Sequence, residues 1–350
     1  MNVLVLCGGK SAERDVSCVS AAAVLRNLEK RYTPILVWIA PDGAWHLQDS
    51  PAALAAHPKP SGFPFRRRPV ALELGSGKLV GKGKRLTIGA VFPVLHGPMG
   101  EDGTLQGHLE LLDLPYVGCD VLGSAIGMDK VVSKRLAIDA GLPVLPYVVL
   151  RPGDPLGPAR KLKLPVFVKP SRMGSSVGVS KVKRPSELAA AVRAAFRFDT
   201  TVLVEQGVSP REIECAVLGD DREPKPSIVG EIRPNAEFYS YEAKYLDPDG
   251  AALLVPAELP KAKAEEVRRL AVRAFQALGG YGMARVDFLL DKATGKLWFN
   301  EVNTLPGFTS ISMYPKLWAA TGLPFPKLVT RLITLGLARR RARAKLRITR

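Results

Sequence analysis

Short apolar runs closed by glycine, proline or polar turns divide this chain into elements. Residues 3–6 (Val-Leu-Val-Leu) lead into Gly8-Gly9 and then the polar stretch 11–17, the pattern of a buried strand, a tight turn and a helix start. Glu13 falls near the positive N-terminus of that helix. Residues 35–39 and 90–95 read as two more strands, the second ending in His96-Gly97 and the turn-rich segment 98–103. Strands alternating with helices predict a parallel α/β layer. Residues 49–88 are rich in Pro, Gly, Lys and Arg and read as an insertion or long surface connection.

Further along, the spacing predicts a helix over 130–140, strands over 144–150 and 166–170, a helix over 185–196 and a strand over 202–205. A third group follows, with strands over 212–218, 228–233 and 283–290 and helices over 261–278 and 324–337. The expected division is an N-terminal parallel α/β domain (1–119), a small central domain (120–208) and a larger C-terminal domain (209–350), so the fold class is α/β.

Composition supports a globular chain. With 350 residues, 47% of them hydrophobic and 24% charged, two or three domains with real cores are expected. No apolar run approaches the ~18 residues of a membrane span, and the N-terminus lacks the pattern of a secretory signal, so a cytoplasmic address is expected. Cys7, Cys18, Cys119 and Cys215 lie far apart, without zinc or disulfide spacing, and read as buried thiols. The net charge of +17 is concentrated at Ala338–Lys345, which reads as the solvated end of a last helix; Arg66, Arg67 and Arg68 read as a surface loop. A basic nucleic-acid-binding protein is the reading from another class, but no helix-turn-helix spacing, RNA-binding aromatic motif or zinc ligand set accompanies the charge.

The chemistry lies in local constellations. Arg285-Val286-Asp287 is followed, after a hairpin turn at 293–296, by Glu301-Val302-Asn303. Residues two apart on a strand share a face, so Glu301 and Asn303 project together and Asp287 can join them from the neighbouring strand. Two carboxylates and an amide suit Mg²⁺ bridging nucleotide phosphates; the alternative is acidic residues on a wet sheet face. Lys169 ends a strand before the small-residue loop 171–179, which offers an ammonium and open backbone N–H groups to phosphates. Read alone, that loop is equally a plain glycine hairpin. Lys130 adds another cation, and Glu205 and Glu212 are candidate acceptors for adenine and ribose. The aromatic segment 238–245 reads as a water-excluding lid or as an aromatic surface loop. Residues 304–313 follow the metal strand, and the Gly307 backbone there can approach a carboxylate or oxyanion closely.

Six blocks stand in one order: Gly8-Gly9 with 11–17, His96-Gly97 with 100–103, Met128-Asp129-Lys130, Gly174-Ser175-Ser176-Val177-Gly178, Glu242-Ala243-Lys244-Tyr245 and Glu301-Val302-Asn303-Thr304. In these the chain resembles the D-alanine–D-alanine ligases of the ATP-grasp fold, from Gly8 to about Leu335. The resemblance implies ATP-dependent joining of two D-alanines through an acyl phosphate, for peptidoglycan precursor synthesis. It implies that Lys130, Lys169, Ser176 and Lys244 serve the phosphates and that Glu205 and Glu212 serve the nucleoside. Asp287, Glu301 and Asn303 would hold two Mg²⁺ ions, with Mn²⁺ as a substitute, and Arg285 and the Gly307 N–H would steady the tetrahedral intermediate. Glu13 and His96 would bind the first substrate, Ser312 and the Met313 backbone the second, and Glu13, Ser175 and Tyr245 would tie the lid shut. A homodimer is implied as well. Relatives that make D-alanyl-D-lactate lack the lid tyrosine, so Tyr245 favours an amine nucleophile; a D-lactate or D-serine enzyme is the alternative. Two departures stand out: Met173 occupies a position where many relatives carry Glu, and the basic tail extends past the family's usual end, leaving a membrane-surface or nucleic-acid contact open as a secondary property.

Overall fold

A computed structural model describes residues 1–81, 83–235 and 251–347. The expected lid at 238–245, with Lys244 and Tyr245, lies outside the described residues.

The first sheet is built on β1 (Asn2–Gly8), buried along nearly its whole length. Helix α1 (Arg14–Arg26) carries the chain to the parallel strand β2 (Thr33–Ile39), and β3 (Trp45–Gln48) pairs antiparallel on its outer side. The segment read as an insertion or long surface connection has structure of its own. It forms α2 (Pro51–Ala56), capped by the Ser50 hydroxyl, and a small antiparallel sheet of β4 (Ala71–Leu72), β5 (Leu79–Gly81) and β6 (Lys84–Leu86). Leu54, Leu72 and Leu79 from it are buried in the cores. Arg66, Arg67 and Arg68 do form an exposed loop, paired with Asp42 and Asp49. Strand β7 (Ala90–Pro93) then lies parallel to β1 on its other side, giving the order β3-β2-β1-β7, and α3 (Thr104–Leu111) follows. The expected parallel layer is therefore present. Unbroken apolar strands fit a sheet covered on both faces.

Two capped helices come next: α4 (Val121–Met128), where Asp120 accepts from the Gly123 N–H, and α5 (Lys130–Asp139), where Asp129 accepts from Val131 and Val132. The second sheet is antiparallel throughout. It contains β8 (Tyr147–Leu150), followed by α6 (Gly157–Arg160), then β9 (Val166–Pro170), β10 (Ser180–Val182), α7 (Leu188–Ala195) and β11 (Val202–Gln206), in the order β10-β9-β11-β8. Strand β8 starts later than the predicted 144, because Val144 bridges to Phe299 of the third sheet instead.

The third sheet comprises β12 (Pro210–Gly219), β13 (Lys225–Pro234), β14 (Ala251–Leu254), β15 (Gly282–Asp291) and β16 (Leu297–Asn303), in the order β14-β13-β12-β15-β16. Helix α8 (Lys261–Ala277) covers one face, burying Val267, Leu270, Ala274 and Phe275 against Ile213, Val217, Val286 and Phe288. The other face is divided. Leu218, Met283 and Ala216 pack into a core shared with the first sheet, whereas Glu212, Glu214, Arg285 and Asp287 occupy the far half.

Helices α9 (Met313–Ala320) and α10 (Phe325–Arg343) complete the fold. Helix α10 runs six residues beyond the predicted end at Leu337, and its basic run is only partly solvated. Arg339 is buried; it donates to the Gly118 carbonyl (2.5 Å) and the Tyr116 carbonyl (3.1 Å) and lies over the rings of Tyr116 and Tyr281. Arg340 pairs with Asp113 and Arg343 with Glu110. No helix among the described residues is long and apolar enough to cross a membrane.

Candidate active site

The charged half of the third sheet follows from strand register. Asp287 lies opposite Glu301 and Glu214, and Arg285 lies opposite Asn303, so all five share one face. The turn over 292–296 that joins β15 to β16 is held by Asp291, which accepts from the Thr294 hydroxyl at 2.6 Å. Arg285 forks onto Asp287, Nε to Oδ1 at 2.7 Å and Nη2 to Oδ2 at 2.6 Å, with Glu214 Oε2 at 3.2 Å from the same Nε. Burial works against the guanidinium charge, but Asp287 and Glu214 outweigh it and hold its pKa well above the ordinary value. The Asn303 side-chain oxygen accepts from the Leu305 N–H at 3.1 Å. Lys130, at the start of α5, reaches across to Glu301 (3.5 Å) and donates to the Met173 carbonyl at 2.7 Å.

This donor set fits Mg²⁺. Two carboxylates and an amide are hard oxygen ligands, few enough to leave positions for phosphate oxygens and water. Each carboxylate already draws a cation, Arg285 on Asp287 and Lys130 on Glu301. The set is not a cluster of three or more His, Cys, Asp or Glu, and the described residues hold none.

The second sheet contributes Lys169 and Glu205, which pair with each other. The Glu205 carboxylate, 1% exposed, faces the sheet's lysines: Oε1 is 2.6 Å from Lys134 Nζ and Oε2 is 2.7 Å from Lys169 Nζ. Burial would raise its pKa, yet the two ammonium groups hold it below the ordinary value. Burial lowers the Lys134 pKa, against the pull of Glu205. Lys169 is raised because Glu205 outweighs burial. Lys134 went unread in the sequence, although its spacing one turn after Lys130 puts it on the same side of α5. Glu212 lies on β12, part-buried, and its charge contributes to the raised pKa of Lys169.

The small-residue loop is anchored at its base. The Ser171 hydroxyl donates to Asp129 at 2.8 Å, and Arg172 clasps Asp199. Ser175 and Ser176 both have left-handed backbones (φ 48° and 60°), a conformation L-residues seldom adopt and one that concentrates at ligand sites. The Ser175 hydroxyl donates to the Glu13 carboxylate, joining the second sheet's loop to the first sheet. Tyr245, the third expected member of that set, lies outside the described residues.

On the first sheet, His96 is buried, with Nδ1 3.4 Å from Glu101 Oε1 and Nε2 3.4 Å from the Ser20 hydroxyl. Burial would lower its pKa, but Glu101, aided by Glu13, raises it. The Ser20 oxygen also accepts from the Phe308 N–H at 3.2 Å, bringing the segment after β16 to this point. A Cβ at Gly307 would come within 2.7 Å of the Ser312 oxygen, so the glycine permits that approach. The Ser312 hydroxyl is engaged by Thr309 at 2.8 Å, and the Met313 side chain is buried in the core. Beside Ser312, the first turn of α9 adds N–H groups that have no partner within the helix. Beside His96, a cavity of about 380 Å³ opens at the ends of β1 and β2, lined by Gly8, Gly9, Lys10, Trp45, Leu95 and Met99. Glu101, Ser20, Glu214 and Lys134 were assigned no role from sequence. Glu101 sits inside a quoted motif, and Glu214 shares a face with Glu212 by strand alternation.

Comparison with known proteins gives the family and the fold. Residues 2–119 match the family described as the D-ala D-ala ligase N-terminus, and residues 136–334 match the D-ala D-ala ligase C-terminus. The chain is 50% identical over 368 residues to D-alanine--D-alanine ligase A of Bradyrhizobium diazoefficiens, covering 99% of this chain and 97% of that protein. It superposes on the D-alanine-D-alanine ligase of Coxiella burnetii with a TM-score of 0.88 at 37% identity, covering 99% of this chain and 96% of that one. A D-alanine--D-alanine ligase from Bacillus anthracis, solved in complex with ATP, aligns with a TM-score of 0.74 at 28% identity, over 98% of this chain and 99% of that one. The fold is that of these ligases, of the ATP-grasp type.

Proposed function

The chain belongs to the D-alanine–D-alanine ligase family, and from that premise we propose that it joins two D-alanines into D-alanyl-D-alanine at the expense of ATP, for peptidoglycan precursors. The first D-alanine carboxylate attacks the γ-phosphorus, releasing ADP and leaving an acyl phosphate. The amine of the second attacks the acyl carbon, and phosphate leaves from the tetrahedral intermediate. Lys130 and Lys169 neutralise phosphate charge, with Ser176 and the loop N–H groups closing over it. Asp287, Glu301 and Asn303 would hold two Mg²⁺ ions, or Mn²⁺ in their place, and the metal would supply charge neutralisation for phosphoryl transfer. Glu13, with His96 beside it, takes the first substrate's ammonium. Arg285 and the Gly307 N–H face the developing oxyanion, and Ser312 with the Met313 N–H receives the second carboxylate. Glu205, which also pairs with Lys134 and Lys169, and Glu212 accept hydrogen bonds from the nucleoside, and Lys244 and Tyr245 complete the closed lid over Ser175. The functional division follows 1–119, 120–208 and 209–350, in a cytoplasmic homodimer.

The observation that carries this reading is Lys130, whose ammonium touches both the small-residue loop, at Met173, and the acidic sheet face, at Glu301. A cation bridging those two elements stands where a nucleotide's phosphates would lie between loop and metal. The test offers purified protein ATP and Mg²⁺ with D-alanine alone, then with D-lactate or D-serine, and follows phosphate release and product mass, with Glu301→Ala as control. D-alanyl-D-alanine from the wild type and none from the control is the expected result. Turnover only with D-lactate or D-serine overturns the acceptor assignment, and turnover by the control overturns the metal site.

A further inference from the structure

Strand β16 does not pair regularly with β15. Leu297, Trp298 and Phe299 face Leu290, Leu289 and Phe288 in step; Asn300 then has no opposite number, and pairing resumes with Glu301 facing Asp287 and Asn303 facing Arg285. This one-residue bulge decides which face the later residues occupy, because side chains alternate along a strand. In regular register Asn300 would face Asp287, and Glu301 would face Val286, pointing into the apolar layer under α8.

A bulge leaves backbone groups outside the ladder, and buried ones need partners. Here the Asn300 carbonyl accepts from Lys134 Nζ at 3.0 Å. That ammonium, with a side chain 1% exposed, is fixed from behind by Glu205 at 2.6 Å. Its helix is set by the Asp129 cap, itself held by Ser171. On the residue before the bulge, the Phe299 N–H donates to the Pro143 carbonyl at 2.7 Å, so the strand's outer edge is held at the bulge and on the residue before it.

We propose that Lys134 is a positioning residue for the metal-binding strand: by capping the bulge carbonyl of Asn300, it holds the register that turns Glu301 and Asn303 onto the face of Asp287. The inference rests on the metal role given to those three residues above. It also gives the buried Glu205–Lys134 pair a purpose, since the pair connects the nucleotide-side sheet to the ligand strand. Loss of a group that orients metal ligands lowers metal affinity by roughly 10–100-fold.

The experiment titrates Mn²⁺ into protein saturated with a non-hydrolysable ATP analogue and reads free Mn²⁺ by electron paramagnetic resonance, for wild type, Lys134→Met and Asp287→Asn. The expected result is tight binding by the wild type, little by Asp287→Asn, and a roughly 10–100-fold weakening in Lys134→Met. The activity of Lys134→Met should recover as Mg²⁺ is raised, a rescue that a general folding defect would not show. If Lys134→Met does not fold, Lys134→Gln replaces it, since its amide ends one bond short of the carbonyl. Wild-type Mn²⁺ affinity in the folded variant overturns the positioning role and leaves the metal site intact. Equal binding by wild type and Asp287→Asn overturns the metal assignment itself.

Discussion

Replacing Glu205 with Gln removes the negative charge that lies between Lys134 and Lys169, at 2.6 and 2.7 Å. Two ammonium groups then face each other, with side chains 1% and 15% exposed. Breaking a buried ion pair by removing one partner costs about 3–5 kcal/mol. An independent ceiling comes from the escape route. Lys134, already held low by burial, can release its proton, and doing so at pH 7 against an ordinary lysine value costs roughly 5 kcal/mol. The two figures agree, so a loss of about 3–5 kcal/mol is expected. The deprotonated lysine also fixes the sign of the pH dependence. The folded variant binds fewer protons than its unfolded chain, so its stability rises with pH, by up to about 1.4 kcal/mol per unit, until the unfolded lysine itself titrates. Wild-type Glu205 acts with the same sign in a lower window: its pKa is depressed, so its contribution is complete above the ordinary carboxylate range and is lost as pH falls through the depressed value. Urea unfolding of both proteins between pH 7 and 9, followed by tryptophan fluorescence, measures the difference. A loss below about 1 kcal/mol, or a variant whose deficit does not shrink as pH rises, refutes the reasoning.

Arg339→Ala should destabilise by about 2–4 kcal/mol, since it deletes two charged-donor hydrogen bonds to buried carbonyls and the stacking on two tyrosines; thermal melting checks it, and an unchanged melt refutes it. The four cysteines are buried, with burial pushing the Cys119 thiol up to about 11 and Cys215 up to about 12. Native protein should therefore resist a thiol-disulfide reagent at pH 8, all four thiols reacting only after denaturation.

Much of this architecture was legible because its strands are continuous apolar runs. β1, β9 and β11 stand out on that ground, and the common face of Glu301 and Asn303 follows from alternation alone. What escaped depends on contacts distant in sequence. Helix α9 contains Pro315 and follows a polar loop, so nothing local announces it; its burial against Val217 and Gly230 does. The basic end of α10 reads as solvated when its arginines are counted, yet helix geometry puts Arg339 three residues beyond Gly336, on the side pressed against Tyr116. The bulge at Asn300 was hidden for the same reason. It is imposed by a lysine on another element, and no turn residue marks it. That Glu205 lies between two lysines was not legible either, since Lys134 and Lys169 come from separate elements.

Helix α10 places Leu328, Val329, Leu332 and Ile333 in the same core as Val3, Val5, Ala21 and Phe92. In a chain made from its N-terminus, the first sheet therefore emerges with that face covered only in part, by α1 and Leu54, and is fully roofed only when the residues around 330 appear. At ~5–20 residues per second the interval is roughly 12–50 seconds, long compared with the collapse of a small domain. The earliest-made layer of this protein is thus the last to be sealed, and the nascent chain carries an apolar sheet face that chaperones can engage throughout that interval.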